Sequence, residues 1–108
     1  MRFVRGQVAV ITGAGSGFGR EMALQLAGKG LHLGICDYDE VGLQITAAAC
    51  RGAGVTVVAE LCDVGSKEAV FGFRDKVVEK FGHVHFCAAN AGVASHDIFN
   101  MFIPSSTF

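Results

Sequence analysis

Four glycines are packed into Thr12-Gly13-Ala14-Gly15-Ser16-Gly17-Phe18-Gly19, between a β-branched apolar run and a stretch rich in helix formers. The preceding segment, Gln7 to Thr12, reads QVAVIT and has the composition of a strand buried on both faces. Glycine tolerates the positive φ angles and close backbone contacts that a sharp strand-to-helix turn demands. Beyond the turn, Phe18, Met22 and Leu26 recur at four-residue spacing, which predicts the apolar face of a helix, and Gly28 and Gly30 bracket its end. A strand, a tight turn and a helix in that order commit the chain to an α/β arrangement.

The alternation continues. Leu31 to Cys36 (LHLGIC) reads as a second strand, followed by a helix from about Asp39 to Arg51 with Val41, Ile45 and Ala48 on one face and Gly52-Ala53-Gly54 at its end. Val55 to Leu61 (VTVVAEL) is a third strand. Ser66 is placed to cap a third helix that runs through Phe81, with Val70, Phe73, Val77 and Phe81 facing inward and Gly82 as its stop. Val84 to Ala89 (VHFCAA) is a fourth strand. Strands separated by helices of this length form βαβ units with right-handed crossovers, so the expected fold is a parallel sheet of about four strands with helices on both faces.

Function classes drop out on composition. Nine Lys and Arg against ten Asp and Glu leave a formal charge of -1, which offers no footprint for nucleic acid or an anionic membrane surface. A chain that is 51% hydrophobic with one proline is neither disordered nor collagen-like, and its 108 residues suffice for one domain. Arg2 and Arg5 precede an uncharged run from Gly6 to Gly19, but glycines interrupt it, and no export signal or membrane span is expected. Cys36, Cys50, Cys62 and Cys87 are widely spaced and three of them close or occupy apolar runs, as suits buried thiols in the cytoplasm rather than a disulfide framework or a metal site.

The glycine turn sits where a strand end and a helix start can hold a phosphate: its N–H groups and the positive end of the helix point at the anion. The dinucleotide fingerprint G-x-G-x-x-G fits from neither Gly13 nor Gly15; what fits is T-G-x-x-x-G-x-G, read as Thr12, Gly13, Gly17 and Gly19, with Ser16 and Phe18 between them. Asp37 follows the second strand, 20 residues beyond Gly17, where a carboxylate accepts hydrogen bonds from an adenosine ribose. That charge repels a 2′-phosphate, and no Arg or Lys beside it or within the glycine turn reverses the preference, so NAD is favoured over NADP. Asp63-Val64 closes the third strand and Asn90-Ala91-Gly92 the fourth, which directs these turns to the same carboxyl edge of the sheet.

Together these motifs resemble the short-chain dehydrogenase/reductase family, and the resemblance covers residues 6 to 93. It implies a Rossmann-type fold in which the glycine loop holds a pyrophosphate and Asp37 the adenosine ribose. By the same resemblance Asp63 and Val64 flank the adenine, while Asn90, Ala91 and Gly92 lie on the nicotinamide side and steady the sheet. Ala89 stands where the family usually has a second asparagine. Family members transfer hydride between an alcohol or carbonyl substrate and the nicotinamide, using a Tyr, a Lys four residues later and a Ser. Here Tyr38 is the one tyrosine and Gly42 stands four residues on, so no catalytic residue is assigned and the 108 residues alone are expected not to turn over.

Each assignment has a simpler counterpart. Asp37 is also placed to act as a helix N-terminal acid, Asp63 to shape the loop before Ser66, and Asn90 to serve as a turn residue. Ser95-His96-Asp97 is no hydrolase triad, because three consecutive side chains cannot form that relay. The expected organisation is the dinucleotide-binding half of a Rossmann domain over residues 1–93, then an apolar tail, 94–108, carrying Phe99, Met101, Phe102, Ile103 and Phe108. Complete family members are roughly twice as long or more. The alternative function is a non-catalytic nucleotide-binding or interaction module from a shortened reading frame that pairs with full-length relatives through this tail; a homo-oligomer is a further expected partner arrangement.

Overall fold

The computed structural model describes residues 2–90. They form four strands and three helices in strict alternation: β1 (Val8–Thr12), α1 (Gly17–Gly28), β2 (His32–Asp37), α2 (Glu40–Arg51), β3 (Val57–Leu61), α3 (Lys67–Phe81) and β4 (Phe86–Ala89). All strand pairs are parallel, and the order across the sheet is β3-β2-β1-β4. The chain therefore winds outward from β1 in one direction and returns through α3 to its other side. β1, paired from Val8 opposite His32 and from Ala9 opposite Phe86, is one of the two inner strands and buried throughout.

Side-chain alternation along β1 and β2 feeds two cores. Ala9, Ile11, Leu33 and Ile35 pack on one face against Ala23, Leu26 and Ala27 of α1 and Leu43, Ala47 and Cys50 of α2. Val10 and Cys36 face the other way and meet Val70, Phe73 and Val77 of α3. Both faces of the sheet are thus covered, which is why these strands read as continuous apolar runs. At the opposite end of the sheet from the glycine turn, His85 Nδ1 accepts the Val8 N–H at 3.0 Å and His32 Nδ1 accepts the Thr56 N–H at 3.0 Å. These histidines satisfy backbone groups at strand starts.

The expected faces of α1 and α2 need correction. α1 buries Gly19, Ala23, Leu26 and Ala27, while Phe18 is 70% exposed and Met22 half-buried. α2 buries Gly42, Leu43, Thr46, Ala47 and Cys50, and leaves Val41 and Ile45 exposed at 70% and 54%, with Ala48 exposed as well. In both helices close approach to the sheet and to the glycine turn selects small residues for the inner face, and this overrides the hydrophobic count. α3 faces inward with Val70, Phe73 and Val77 as its spacing predicts, and Ser66 caps it by accepting the Ala69 N–H at 3.3 Å.

The cysteines are free, with Cys36, Cys50 and Cys62 buried and Cys87 half-buried. Burial raises all of these thiols above their ordinary value, Cys87 to about 11, because a thiolate loses its hydration there. A group whose native pKa exceeds its unfolded value contributes stability fully below the unfolded pKa, and that contribution is lost as the pH climbs towards the native one. The urea midpoint, measured under reducing conditions at fixed ionic strength, should therefore hold between about pH 7 and 8 and fall from about pH 9 upward. A midpoint that rises through that window contradicts this assignment.

Candidate functional site: the crevice over the glycine turn

The carboxyl ends of β1, β2 and β4 open into a crevice of about 370 Å³ lined by Gly13, Ser16, Gly17, Phe18, Gly19, Asp37, Tyr38, Asp39 and Asn90. Its floor is the glycine turn, and the first half of that turn is stitched to β2. The Ala14 N–H donates to the Cys36 carbonyl at 3.2 Å, and the Gly15 N–H donates to Asp37 Oδ2 at 2.7 Å. The second half is open. Gly17 holds a φ of 55°, a left-handed conformation that brings the chain into α1. Gly19 is needed for a different reason: a Cβ there would overlap the Gly13 carbonyl oxygen and lie 2.8 Å from its carbon.

The start of α1 differs from the other helix starts. Asp39 caps α2 by accepting the Gly42 N–H and Ser66 caps α3, whereas the Ser16 side chain makes no capping bond. Among the described residues the N–H groups of Gly17, Phe18 and Gly19 have no acceptor. Free donors at the positive end of a helix dipole, flanked by glycines that let an anion approach the backbone, have the chemistry of a phosphate cradle.

Across the crevice Asp37 is only 8% exposed. Its Oδ2 accepts the Gly15 N–H, and its Oδ1 accepts the Asp39 N–H at 2.9 Å. These bonds fix the carboxylate plane while leaving further lone pairs for hydroxyl donors. The role of helix N-terminal cap falls to Asp39 instead. Asn90 ties β4 to β1: its N–H donates to Thr12 Oγ1 at 3.2 Å and its Nδ2 to the Thr12 carbonyl at 3.3 Å.

Of the residues singled out in the sequence, Gly13, Ser16, Gly17, Phe18, Gly19, Asp37 and Asn90 thus meet around one crevice. Asp63 and Val64 do not line it. Asp63 Oδ1 accepts the Gly65 N–H at 2.9 Å and its carbonyl the Ser66 N–H, which shapes the turn into α3, and Val64 packs on the α3 core. Ala91, Gly92 and the 94–108 tail lie outside the described residues. Tyr38 and Asp39 complete the lining. Sequence reasoning missed Arg20 and Thr46, which brace the turn from behind and have no local signature.

A family model described as short chain dehydrogenase matches residues 7–105. The chain belongs to the short-chain dehydrogenase family. Within that family it is 45% identical over 94 residues to SadH of Mycobacterium tuberculosis, an alignment covering 87% of this chain and 34% of that one. Among solved structures it resembles an NAD+-bound xylitol dehydrogenase, with a TM-score of 0.80 and 38% identity over 85% of this chain and 35% of the other. It also resembles a short-chain dehydrogenase/reductase from Burkholderia phymatum in complex with NAD, with a TM-score of 0.76 and 42% identity over 81% of this chain and 31% of that one. The chain spans about a third of the length of the curated short-chain dehydrogenases it matches.

Proposed function

We propose that this chain binds NAD(H) as the cofactor-holding part of an oxidoreductase that transfers hydride between a nicotinamide and an alcohol or carbonyl substrate. The observation that carries this reading is the uncapped start of α1 facing a fixed carboxylate, Asp37, across one crevice. The pyrophosphate takes the free N–H groups of Gly17, Phe18 and Gly19, with Gly13 and Ser16 shaping the approach. Asp37 accepts from the adenosine ribose hydroxyls and disfavours a 2′-phosphate by charge repulsion. Asp63 and Val64 border the adenine, and Asn90, Ala91 and Gly92 the nicotinamide side. Family relatives crystallised with NAD support the cofactor assignment.

When bound, the nicotinamide supplies the hydride chemistry. This chain's residues bind and orient it, and none is assigned as acid or base, since Tyr38 is followed four residues on by Gly42. Residues 1–93 form the dinucleotide-binding unit and 94–108 an apolar extension. Free buried thiols support a reducing compartment such as the cytoplasm, and no helix among the described residues is long and apolar enough to cross a membrane. Fluorescence titration with NADH and NADPH tests the cofactor reading. NADH should bind at least about tenfold more tightly; equal affinities, or no NADH binding, overturn it.

A further inference from the structure

The middle of the glycine turn owes its shape to two side chains outside it. Arg20, in the first turn of α1, folds back under the loop: its Nη2 donates to the Gly15 carbonyl and, at 3.3 Å, to the Gly42 carbonyl, while its Nε donates to Thr46 Oγ1 at 3.0 Å. Thr46 is fully buried in the middle of α2, and its hydroxyl donates to the Ala14 carbonyl at 2.8 Å. α2 can come this close because Gly42 carries no Cβ, which would overlap the Gly15 carbonyl oxygen. Arg20 and Thr46 together therefore hold two consecutive peptide planes of the loop.

The carbonyl and N–H of a trans peptide point in opposite directions. Anchoring the Ala14 carbonyl on Thr46 turns the Gly15 N–H the other way, and it meets Asp37 Oδ2. Anchoring the Gly15 carbonyl on Arg20 likewise turns the Ser16 N–H away from α2, and among the described residues that N–H has no acceptor. We propose that Arg20 and Thr46 are positioning residues: their clamp on the Gly15 carbonyl and its neighbour presets the Ser16 N–H as an additional donor to the pyrophosphate, without either side chain touching the cofactor. The inference rests on the NAD(H)-binding reading of the crevice.

A clamp and a plain positive charge make different predictions. Lysine at position 20 keeps the charge but loses the planar fork that reaches two carbonyls and a hydroxyl at once. Arg20→Lys and Arg20→Ala should therefore both weaken NADH and ADP-ribose binding by about tenfold, the scale of one charge-assisted hydrogen bond. Thr46→Val, which removes only the hydroxyl, should weaken them by about three- to tenfold. Adenosine, which carries no pyrophosphate, should bind all variants as it binds the wild type. Binding is measured by titration at a temperature where each variant's thermal unfolding curve shows it fully folded. Wild-type NADH affinity in Arg20→Lys, or a parallel loss of adenosine binding in Arg20→Lys and Thr46→Val, overturns the clamp while leaving the NAD(H) reading intact. Failure of the wild type to bind NADH overturns both.

Discussion

Gly19→Ala is expected to abolish measurable NADH binding and to destabilise the protein by about 3 kcal/mol or more. The new Cβ would overlap the backbone carbonyl oxygen of Gly13, and it would also sit 3.2 Å from the Ala14 Cα. Backbone on both sides leaves no flexible side chain to swing away. Either α1 moves off the sheet, which opens the packing of Ala23, Leu26 and Ala27, or the loop moves and loses its bonds to β2. Both responses misplace the donors at the start of α1. Gly72→Ala is the control: this exposed position in α3 has nothing within 4 Å of a Cβ, and alanine should stabilise by about 0.5–1 kcal/mol. Chemical denaturation of the two variants checks the contrast, and a Gly19→Ala protein of wild-type stability contradicts the packing described for the turn.

Asp37→Ala is expected to weaken NADH binding by about 10- to 100-fold and to bring the NADH and NADPH affinities close together. The substitution removes the ribose acceptor and the charge that repels a 2′-phosphate. It also leaves the buried Gly15 N–H without its partner at 2.7 Å, which should cost about 1–3 kcal/mol of stability. Asp37→Asn separates the two roles. The amide oxygen can still accept the Gly15 N–H, but the amide NH2 then faces the Asp39 N–H, so stability should return only in part, while the NADH preference stays reduced because the charge is gone. Preserved discrimination against NADPH in Asp37→Asn would show that some other group sets the cofactor preference.

The elements were readable because their signals are local. QVAVIT followed by glycines, the cap at Ser66, and the stops at Gly54 and Gly82 each act over a few residues. The helix faces were less readable. Val41 and Ile45 outweigh Thr46 and Ala47 on any hydrophobic scale, yet the first two face solvent, since only an inner face of small residues brings α2 under the Gly15 carbonyl. Phe18 is turned out in the same way, with Gly19 and Ala23 facing inward.

The site shows the same division. Asp37 could be found from its spacing to the glycines, because strand length and turn length fix where the second strand ends. The pairing of Arg20 with Thr46 spans 26 residues and joins two helices, and nothing in either segment announces it. Asp63 stands at a strand end in the sequence, and in the structure its hydrogen bonds shape the turn into α3.

Backbone amide chemical shifts recorded by NMR while NADH is titrated into the ¹⁵N-labelled protein test the central claim most directly. Saturable shifts are expected at Ser16, Gly17, Phe18 and Gly19, with accompanying changes at Gly15 and Asp37, and little change at Val8, His32 and Thr56 at the opposite end of the sheet. Shifts confined to that opposite end, or a spectrum unchanged at millimolar NADH, would contradict it.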